Sequence, residues 1–298
     1  MALVTQPIAL PARRTLRLLA PLEWWHLLSL DAPSVAILWA WSFARALHIT
    51  LPADSLVLLF LGTWLLYVAD RILDGLHKHW AQLRERHLFY IRHRAAMLSA
   101  AVPITALVLW LVFFRMLPAA RRADLMLIAI TAAYFALVHL RGPRIERWFP
   151  KELIVALVFA MATAVPAWTR LAPRHAFSIA IPVLPVMVAL FAALCWTNCI
   201  GIEKWEQSVT SPVQIGDHTA RWGHANFRRI SAGLAICAMS SAAAFLCLGL
   251  ILPAGLCFAA AVSGAIFTAL DRSRLASFHL RIAADAALLT PLLLLLIR

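Results

Sequence analysis

The sequence predicts an all-α polytopic membrane protein with nine transmembrane helices. Of its 298 residues, 63% are hydrophobic and only 14% are charged, and the mean hydropathy is +0.81. A soluble protein is closer to half apolar and a quarter charged. Apolar runs close to the ~20 residues that a transmembrane helix needs recur along the whole chain. The prediction is one integral membrane domain (1–298), with a cytoplasmic or interfacial N-terminal segment (1–31) and a helical bundle (32–298).

The apolar runs fall into nine candidate spans, separated by charged or Gly/Pro-containing links. The predicted spans are Pro33–Ile49, Ser55–Leu76, Ala95–Leu117, Asp124–Leu140, Glu152–Trp168, Phe177–Ile200, Ile230–Leu248, Pro253–Leu270 and Leu280–Ile297. The preceding stretch, Thr15–Leu30, is interrupted by Pro21 and Glu23 and lacks a small-residue cleavage site, so it does not read as a signal peptide. We expect it to lie in the membrane interface, anchored by Trp24 and Trp25.

Lysine and arginine are distributed unequally between the two sides of the predicted bundle. The side that holds the N-terminus carries nineteen of them and the opposite side seven, with Arg71 counted separately because it lies inside a motif. Cytoplasmic loops carry the excess of these residues. The N-terminus and the two long loops (77–94 and 201–229) are therefore expected in the cytoplasm, and the C-terminus outside.

Charge and cysteine content exclude several classes of function. The formal net charge is +13. In a membrane protein we assign it to loop orientation and contact with anionic lipid or substrate, not to nucleic acid. All five cysteines lie within apolar runs and show neither a disulfide framework nor a zinc pattern.

Two carboxylates at the end of the second span are the first candidate site. Asp70 and Asp74 stand one helical turn apart, which puts both on one face of a helix. A charge at bilayer depth costs about 2.5–3.5 kcal/mol even on lenient scales. Two neighbouring like charges cost more, unless a cation or a shared proton relieves them. Either the pair reaches the solvated headgroup zone or it binds a ligand.

A second polar stretch closes the sixth span and contains Asn198, Glu203 and Glu206. It lies four helices after the first site, as expected of a duplicated four-helix unit with one acidic site per repeat, plus a ninth helix. Two acidic clusters at the cytoplasmic mouth of a bundle suit Mg²⁺ ions that bridge a diphosphate. For Asn198 and Glu203 to converge, the helix has to end or distort near Gly201.

This arrangement resembles the UbiA-type intramembrane prenyltransferases, which carry Asp-rich motifs of the form N-D-x-x-D-x-x-x-D after the second and sixth helices. Asp70 and Asp74 match the last two acids of the first motif, with Leu66 and Tyr67 in the leading positions. In the second motif Asn198 and Glu206 match the ends, Cys199 and Ile202 replace acids, and Glu203 follows one position later.

The resemblance implies Mg²⁺-dependent transfer of an isoprenyl group from an isoprenyl diphosphate to a lipophilic, usually aromatic, acceptor. From the charge distribution we expect the active face in the cytoplasm, and we expect the membrane to be a bacterial inner (plasma) membrane. Asp70, Asp74, Glu203 and Glu206 would hold Mg²⁺, and Asn198 would orient a ligand or a phosphate. Lys78, Arg84, Arg86 and Lys204 would bind the diphosphate, with Arg71 and Asp285 as accessory residues. No oligomeric state is indicated.

The incomplete motifs leave an alternative open, namely a catalytically inactive UbiA-like fold that binds a lipid or a partner protein. The stretch from Asp70 through Asp74 to Gly75 also resembles the CDP-alcohol phosphotransferase motif, but the spacing is off by one and the remainder is missing. For Asp285 the structural interpretation is an ion pair with Arg281 one turn earlier. The functional interpretation is a carboxylate that contacts substrate or supports a metal ligand.

Overall fold

A computed structural model describes residues 20–77, 85–141, 151–171, 180–207 and 218–296 of the chain. Within these ranges the regular elements are all helical and include no strand. The α-helices are α1 (Ala20–Leu27), α2 (Asp31–Ala46), α3 (Ala53–His77), α4 (Glu85–Arg92), α5 (Arg94–Trp110), α6 (Pro118–Arg141), α7 (Lys151–Leu171), α8 (Ala180–Gln207), α9 (His218–Cys247), α10 (Ile251–Leu270) and α11 (Ser277–Ala287). A π-helical turn (Leu111–Arg115) extends α5, and a 3₁₀ segment (Thr290–Leu296) follows α11.

The polytopic membrane architecture predicted from the sequence is confirmed. Among the described residues, seven helices are long and apolar enough to cross a membrane, and the bent pair of α1 and α2 makes eight if it counts as one span. The predicted fourth span, Asp124–Leu140, falls in α6, where the side chains of 134–140 lie outside the described part. The count of nine and the cytoplasmic N-terminus stay predictions.

The chain turns sharply between α1 and α2. Their axes meet at 92°, and the link passes through Ser29, whose φ of 53° lies in the left-handed region. Such a conformation costs a non-glycine residue about 1 kcal/mol or more, so the surroundings have to hold it in place. The Ser29 amide donates to the carbonyl of His26, and the Leu30 amide donates to that of Trp25. This turn brings α1 against the N-terminal end of α2.

The core is centred on aromatic rings of α2 and α8. Trp39 stacks on Phe191 with ring centroids 4.3 Å apart, and Phe43 meets the same ring edge-on at 6.0 Å. All three side chains are almost completely buried. The indole N–H of Trp39 donates to the carbonyl of Leu288, 2.9 Å away, just after α11. The first and last parts of the bundle are therefore joined directly.

Large apolar side chains cover the outside of the bundle. Val102, Phe114, Ile236 and Leu246 are among those that are more than half exposed. A soluble protein does not tolerate so much contiguous apolar surface, and lipid is the solvent that it suits. Three helices also contain a proline beyond their first turn, at Pro103, Pro166 and Pro185, which transmembrane helices accommodate.

The expected distortion at Gly201 is not present, because α8 continues through that residue to Gln207. The glycine serves packing instead. A Cβ at this position would lie 2.8 Å from two ring atoms of Phe227 on α9 and 3.1 Å from Trp205. Because the helix stays unbroken, Asn198 and Glu203 lie on different faces of α8, and they contact different partners.

Candidate functional site

A small cavity lies between α2, α3, α7, α8 and the region of α11. Its volume is about 40 Å³, enough for at least one water molecule. The polar groups in its wall are Asp31, Tyr67, Asn198 and Asp285, together with the thiols of Cys195 and Cys199. The rest of the wall is apolar and includes Val35 and Phe159. Carboxylates from two separate helices therefore converge on one small cavity.

A buried polar network lies at this cavity and connects four elements. The Nδ1 atom of His26 on α1 is 2.8 Å from Oδ2 of Asp31 on α2 and 3.6 Å from Oδ2 of Asp285 on α11. The side-chain amide of Asn198 on α8 donates from Nδ2 to Oδ1 of Asp285 at 2.9 Å. All four residues are at least nine-tenths buried. We call His26, Asp31, Asn198 and Asp285 the acidic cluster.

The Oδ1 atom of Asn198 has no hydrogen-bond partner among the described residues, although it is buried. Its orientation follows from its neighbour, because a carboxylate accepts hydrogen bonds and so the amide nitrogen has to face Asp285. The carbonyl oxygen is then left as an unused acceptor. A buried polar atom of this kind is uncommon and indicates a missing donor, a water or an ion.

Basic side chains from three elements lie at the same end of the bundle. Arg71 on α3 is 5% exposed, pairs with Asp70 at 2.8 Å, and lies over the ring of Tyr67 with 5.4 Å from Cζ to the centroid. Arg86 on α4 and Arg281 on α11 both approach Oε1 of Glu206, at 3.5 and 3.0 Å. Within the described residues, the Nε atoms of Arg71 and Arg86 are buried without an acceptor.

The residues predicted to bind magnesium contact different side chains in the structure. Asp70 contacts Arg71, Glu203 lies 3.3 Å from His224 on α9, and Glu206 contacts Arg86 and Arg281. The side chain of Asp74 lies outside the described part, as do Lys78 and Arg84. In the described residues, the only group of three or more His, Cys, Asp or Glu side chains close enough to share an ion is His26, Asp31 and Asp285.

Each described acid of the predicted set thus already contacts a basic side chain. Mg²⁺ at Asp70, Glu203 and Glu206 would therefore have to share or replace these contacts. The role of these residues in binding magnesium stays a prediction.

Lys204, predicted to bind diphosphate, contacts Asp271 in the structure. That carboxylate, between α10 and α11, also accepts from Trp205 on α8 and Arg228 on α9, with distances of 2.7 to 3.0 Å. Burial by itself raises the pKa of Asp271, but the hydrogen bonds from Lys204, Trp205 and Arg228 outweigh it and lower the pKa below its usual value. This junction connects the ends of three helices on the same side as the acidic cluster.

Sequence reasoning named Asn198 and Asp285 but missed His26, Asp31 and Tyr67. Asp31 directly precedes an apolar run, and an acidic residue in that position is also typical of an ordinary helix N-terminus. In the sequence, Tyr67 is notable only because it occupies a position where the UbiA-type motif has an aspartate. No signal in the sequence brings His26 to Asp285, because that contact depends on the 92° turn after α1.

Comparison of the chain with family models, with curated proteins and with solved structures gave no match in any of the three. The resemblance to UbiA-type enzymes therefore rests on the motif residues and the helical architecture of this chain alone.

Proposed function

We propose that this protein is an intramembrane transferase that binds an isoprenyl diphosphate and transfers the isoprenyl group to a lipophilic, aromatic acceptor. In that reaction the bond between C1 of the chain and the diphosphate oxygen breaks. A new bond forms between C1 and the acceptor, and the acceptor loses a proton. Bound Mg²⁺ would neutralise the leaving diphosphate, as the resemblance implies. The excess of basic residues in the loops of one side supports a cytoplasmic active face, and the membrane we propose is a bacterial inner membrane.

The observation that carries the proposal is the pair of buried guanidinium groups at the end of the bundle. In the described part of the chain, Arg71 and Arg86 each have a buried Nε–H without an acceptor. Guanidinium groups bind phosphate oxygens through short, charge-assisted hydrogen bonds. Phosphate oxygens would supply the acceptors that these groups lack, and the neighbouring apolar helices suit an isoprenyl chain.

Binding of farnesyl diphosphate to the purified protein in lipid nanodiscs tests this directly. We expect Arg71→Gln and Arg86→Gln each to weaken binding about tenfold, since a hydrogen bond to a charged group is worth about 1.5–3 kcal/mol. Binding of farnesol, which lacks the diphosphate, should not change. The matched control is Arg115→Gln, because Arg115 pairs with Asp54 at the opposite end of α3. Equal losses for farnesol and the diphosphate would contradict the proposal.

The acidic motifs are tested separately with Asp70→Asn combined with Asp74→Asn, with and without Mg²⁺. We expect Mg²⁺ to strengthen binding of the diphosphate to the unmodified protein and to have little effect on the double variant. Absence of diphosphate binding would overturn the proposal, as would binding that does not respond to the double substitution.

One observation favours a second candidate, a protein that binds an isoprenoid lipid without converting it. The described acids expected to bind magnesium, Asp70, Glu203 and Glu206, each already contact a basic residue. Mass spectrometry of membranes supplied with prenyl donors and aromatic acceptors distinguishes the two, because any prenylated product excludes the second candidate.

A further inference from the structure

We propose that His26, Asp31, Asn198 and Asp285 form a binding site for one divalent transition-metal ion, with one nitrogen and three oxygen ligands. This site is separate from the predicted magnesium ligands at Asp70, Glu203 and Glu206. The proposal does not depend on prenyl transfer, because these four side chains would hold an ion whether its role is structural or catalytic.

The geometry brings the ligand atoms close together. One ligand atom each from His26, Asp31 and Asp285 can be chosen so that all lie within 4.8 Å of one another. Metal–ligand bonds of about 2.0–2.2 Å hold two ligands of one ion at most about 4.4 Å apart. Side-chain movements of about 1 Å would bring these atoms to the spacing of about 3.4 Å that a tetrahedral site requires. The three residues come from α1, α2 and α11, so an ion would connect three elements.

Asn198 provides the independent indication of a ligand. Its Oδ1 atom is buried and has no partner among the described residues, and the residue lines the same cavity as Asp31 and Asp285. Because Nδ2 is fixed by its hydrogen bond to Asp285, the carbonyl oxygen cannot find a donor by rotating the amide. A metal ion, bound next to Asp285, would use that oxygen.

Charge also favours a cation at this position. Asp31 and Asp285 are both at least nine-tenths buried, and two carboxylates at short distance in a weakly polar environment repel each other strongly. His26 can offset one negative charge only if it is protonated. Arg281 on α11 acts on both carboxylates through its charge, but its guanidinium hydrogen-bonds Glu206 at 3.0 Å. A divalent ion would neutralise both carboxylates while His26 remains neutral.

The ligand set indicates the class of ion. Mg²⁺ prefers a shell made only of oxygen atoms, whereas an imidazole nitrogen suits zinc, iron and the neighbouring first-row metals. The cavity beside the cluster, about 40 Å³ in volume, has room for a water molecule to complete the shell. We therefore assign the site to a first-row transition ion rather than to magnesium.

Manganese titration of the purified, chelator-treated full chain tests the site by electron paramagnetic resonance. We expect one tightly bound Mn²⁺ per chain, displaced by equimolar Zn²⁺ but not by a large excess of Mg²⁺. Asp31→Asn and Asp285→Asn should each weaken Mn²⁺ binding by at least about tenfold, which is the loss that even outer-shell partners of a metal produce. The matched control is Asp54→Asn, which should leave the affinity unchanged, because Asp54 pairs with Arg115 at the opposite end of α3.

His26→Asn is the second variant, because it keeps a polar side chain of smaller size and removes only the nitrogen ligand. It should weaken Zn²⁺ binding, with the helical content unchanged by circular dichroism. The proposal is overturned if the unmodified chain binds no stoichiometric Mn²⁺, if Mg²⁺ displaces Mn²⁺ at equal concentration, or if Asp54→Asn lowers the affinity as much as Asp285→Asn. These results are independent of farnesyl diphosphate binding, so failure of either proposal leaves the other standing.

Discussion

Trp39 connects the first and last parts of the bundle through a single hydrogen bond. Its indole N–H donates to the Leu288 carbonyl at 2.9 Å, and the side chain is 1% exposed. We expect Trp39→Phe to lower the free energy of unfolding by about 1–3 kcal/mol, because the buried carbonyl loses its donor. The measurement is thermal unfolding in detergent. Trp168→Phe is the control, since Trp168 is 48% exposed and should show little change.

Asp271 gives stability with a defined pH dependence. Burial alone would raise the pKa of this carboxyl, but the hydrogen bonds from Lys204, Trp205 and Arg228 outweigh burial and lower the pKa in the folded protein. A lowered pKa means that the stabilisation is complete above the unfolded value of about 3.9 and disappears as the pH falls through the lower, folded value.

We therefore expect Asp271→Asn to reduce the free energy of unfolding by about 2 kcal/mol between pH 5 and pH 8. The difference from the unmodified protein should shrink below about pH 4. Unfolding by denaturant across this range measures it. A difference that stays constant down to pH 3 would show that the carboxylate charge contributes nothing.

Individual residues also show where sequence reasoning reaches its limit. The polar stretch from Asn198 to Glu206 is conspicuous in the sequence because polar side chains are energetically unfavourable in an apolar run. Asn198 does lie in the buried network. Glu206 does not join that network but contacts Arg281, because the unbroken helix turns it to another face. Which face a side chain occupies depends on whether α8 bends at Gly201, and a glycine in the sequence is compatible with both outcomes.

At the scale of helices, α9 and α10 pack through a close backbone approach at Gly264. A Cβ on this residue would lie 3.0 Å from the carbonyl oxygen of Ser231 and 3.1 Å from the amide nitrogen of Ala235. Small residues let membrane helices approach in this way. Because backbone atoms cannot move aside as a side chain can, Gly264→Ala has to push the two helices apart.

We expect Gly264→Ala to cost about 1–3 kcal/mol, the range for overpacking. The matched control lies on the opposing helix, where a Cβ added to Gly233 would have no neighbouring atom within 4 Å. Gly233→Ala should be neutral or slightly stabilising, because alanine has the higher helix propensity. Thermal unfolding of the two variants side by side gives the comparison, and equal melting temperatures would contradict this account of the helix pair.

For the whole molecule, the polar contacts agree with a chain that crosses the membrane back and forth. Asp54 pairs with Arg115, and Ser55 accepts from Arg170, so the start of α3 meets the ends of the fifth and seventh helices. At the other end of the bundle Lys204 pairs with Asp271. Every one of these contacts joins positions that the charge distribution assigns to the same side, because consecutive spans alternate in direction.

This alternation makes the orientation testable with single cysteines. Thr50, between α2 and α3, and Ser273, between α10 and α11, are both exposed and belong to opposite ends of the bundle. With nineteen basic residues on the side of Ser273 and seven on the other, the positive-inside rule puts Ser273 in the cytoplasm. The five native cysteines all lie within helices of the bundle, so the unmodified chain serves as the background control.

We expect a membrane-impermeant maleimide to label Thr50→Cys in intact cells and Ser273→Cys only after the membrane has been permeabilised. The acidic cluster and the buried arginines then face the cytoplasm, where a water-soluble diphosphate headgroup and metal ions would reach them. The reverse labelling pattern would put both proposed sites on the outer face and remove the cytoplasmic supply of substrate on which the transferase proposal depends.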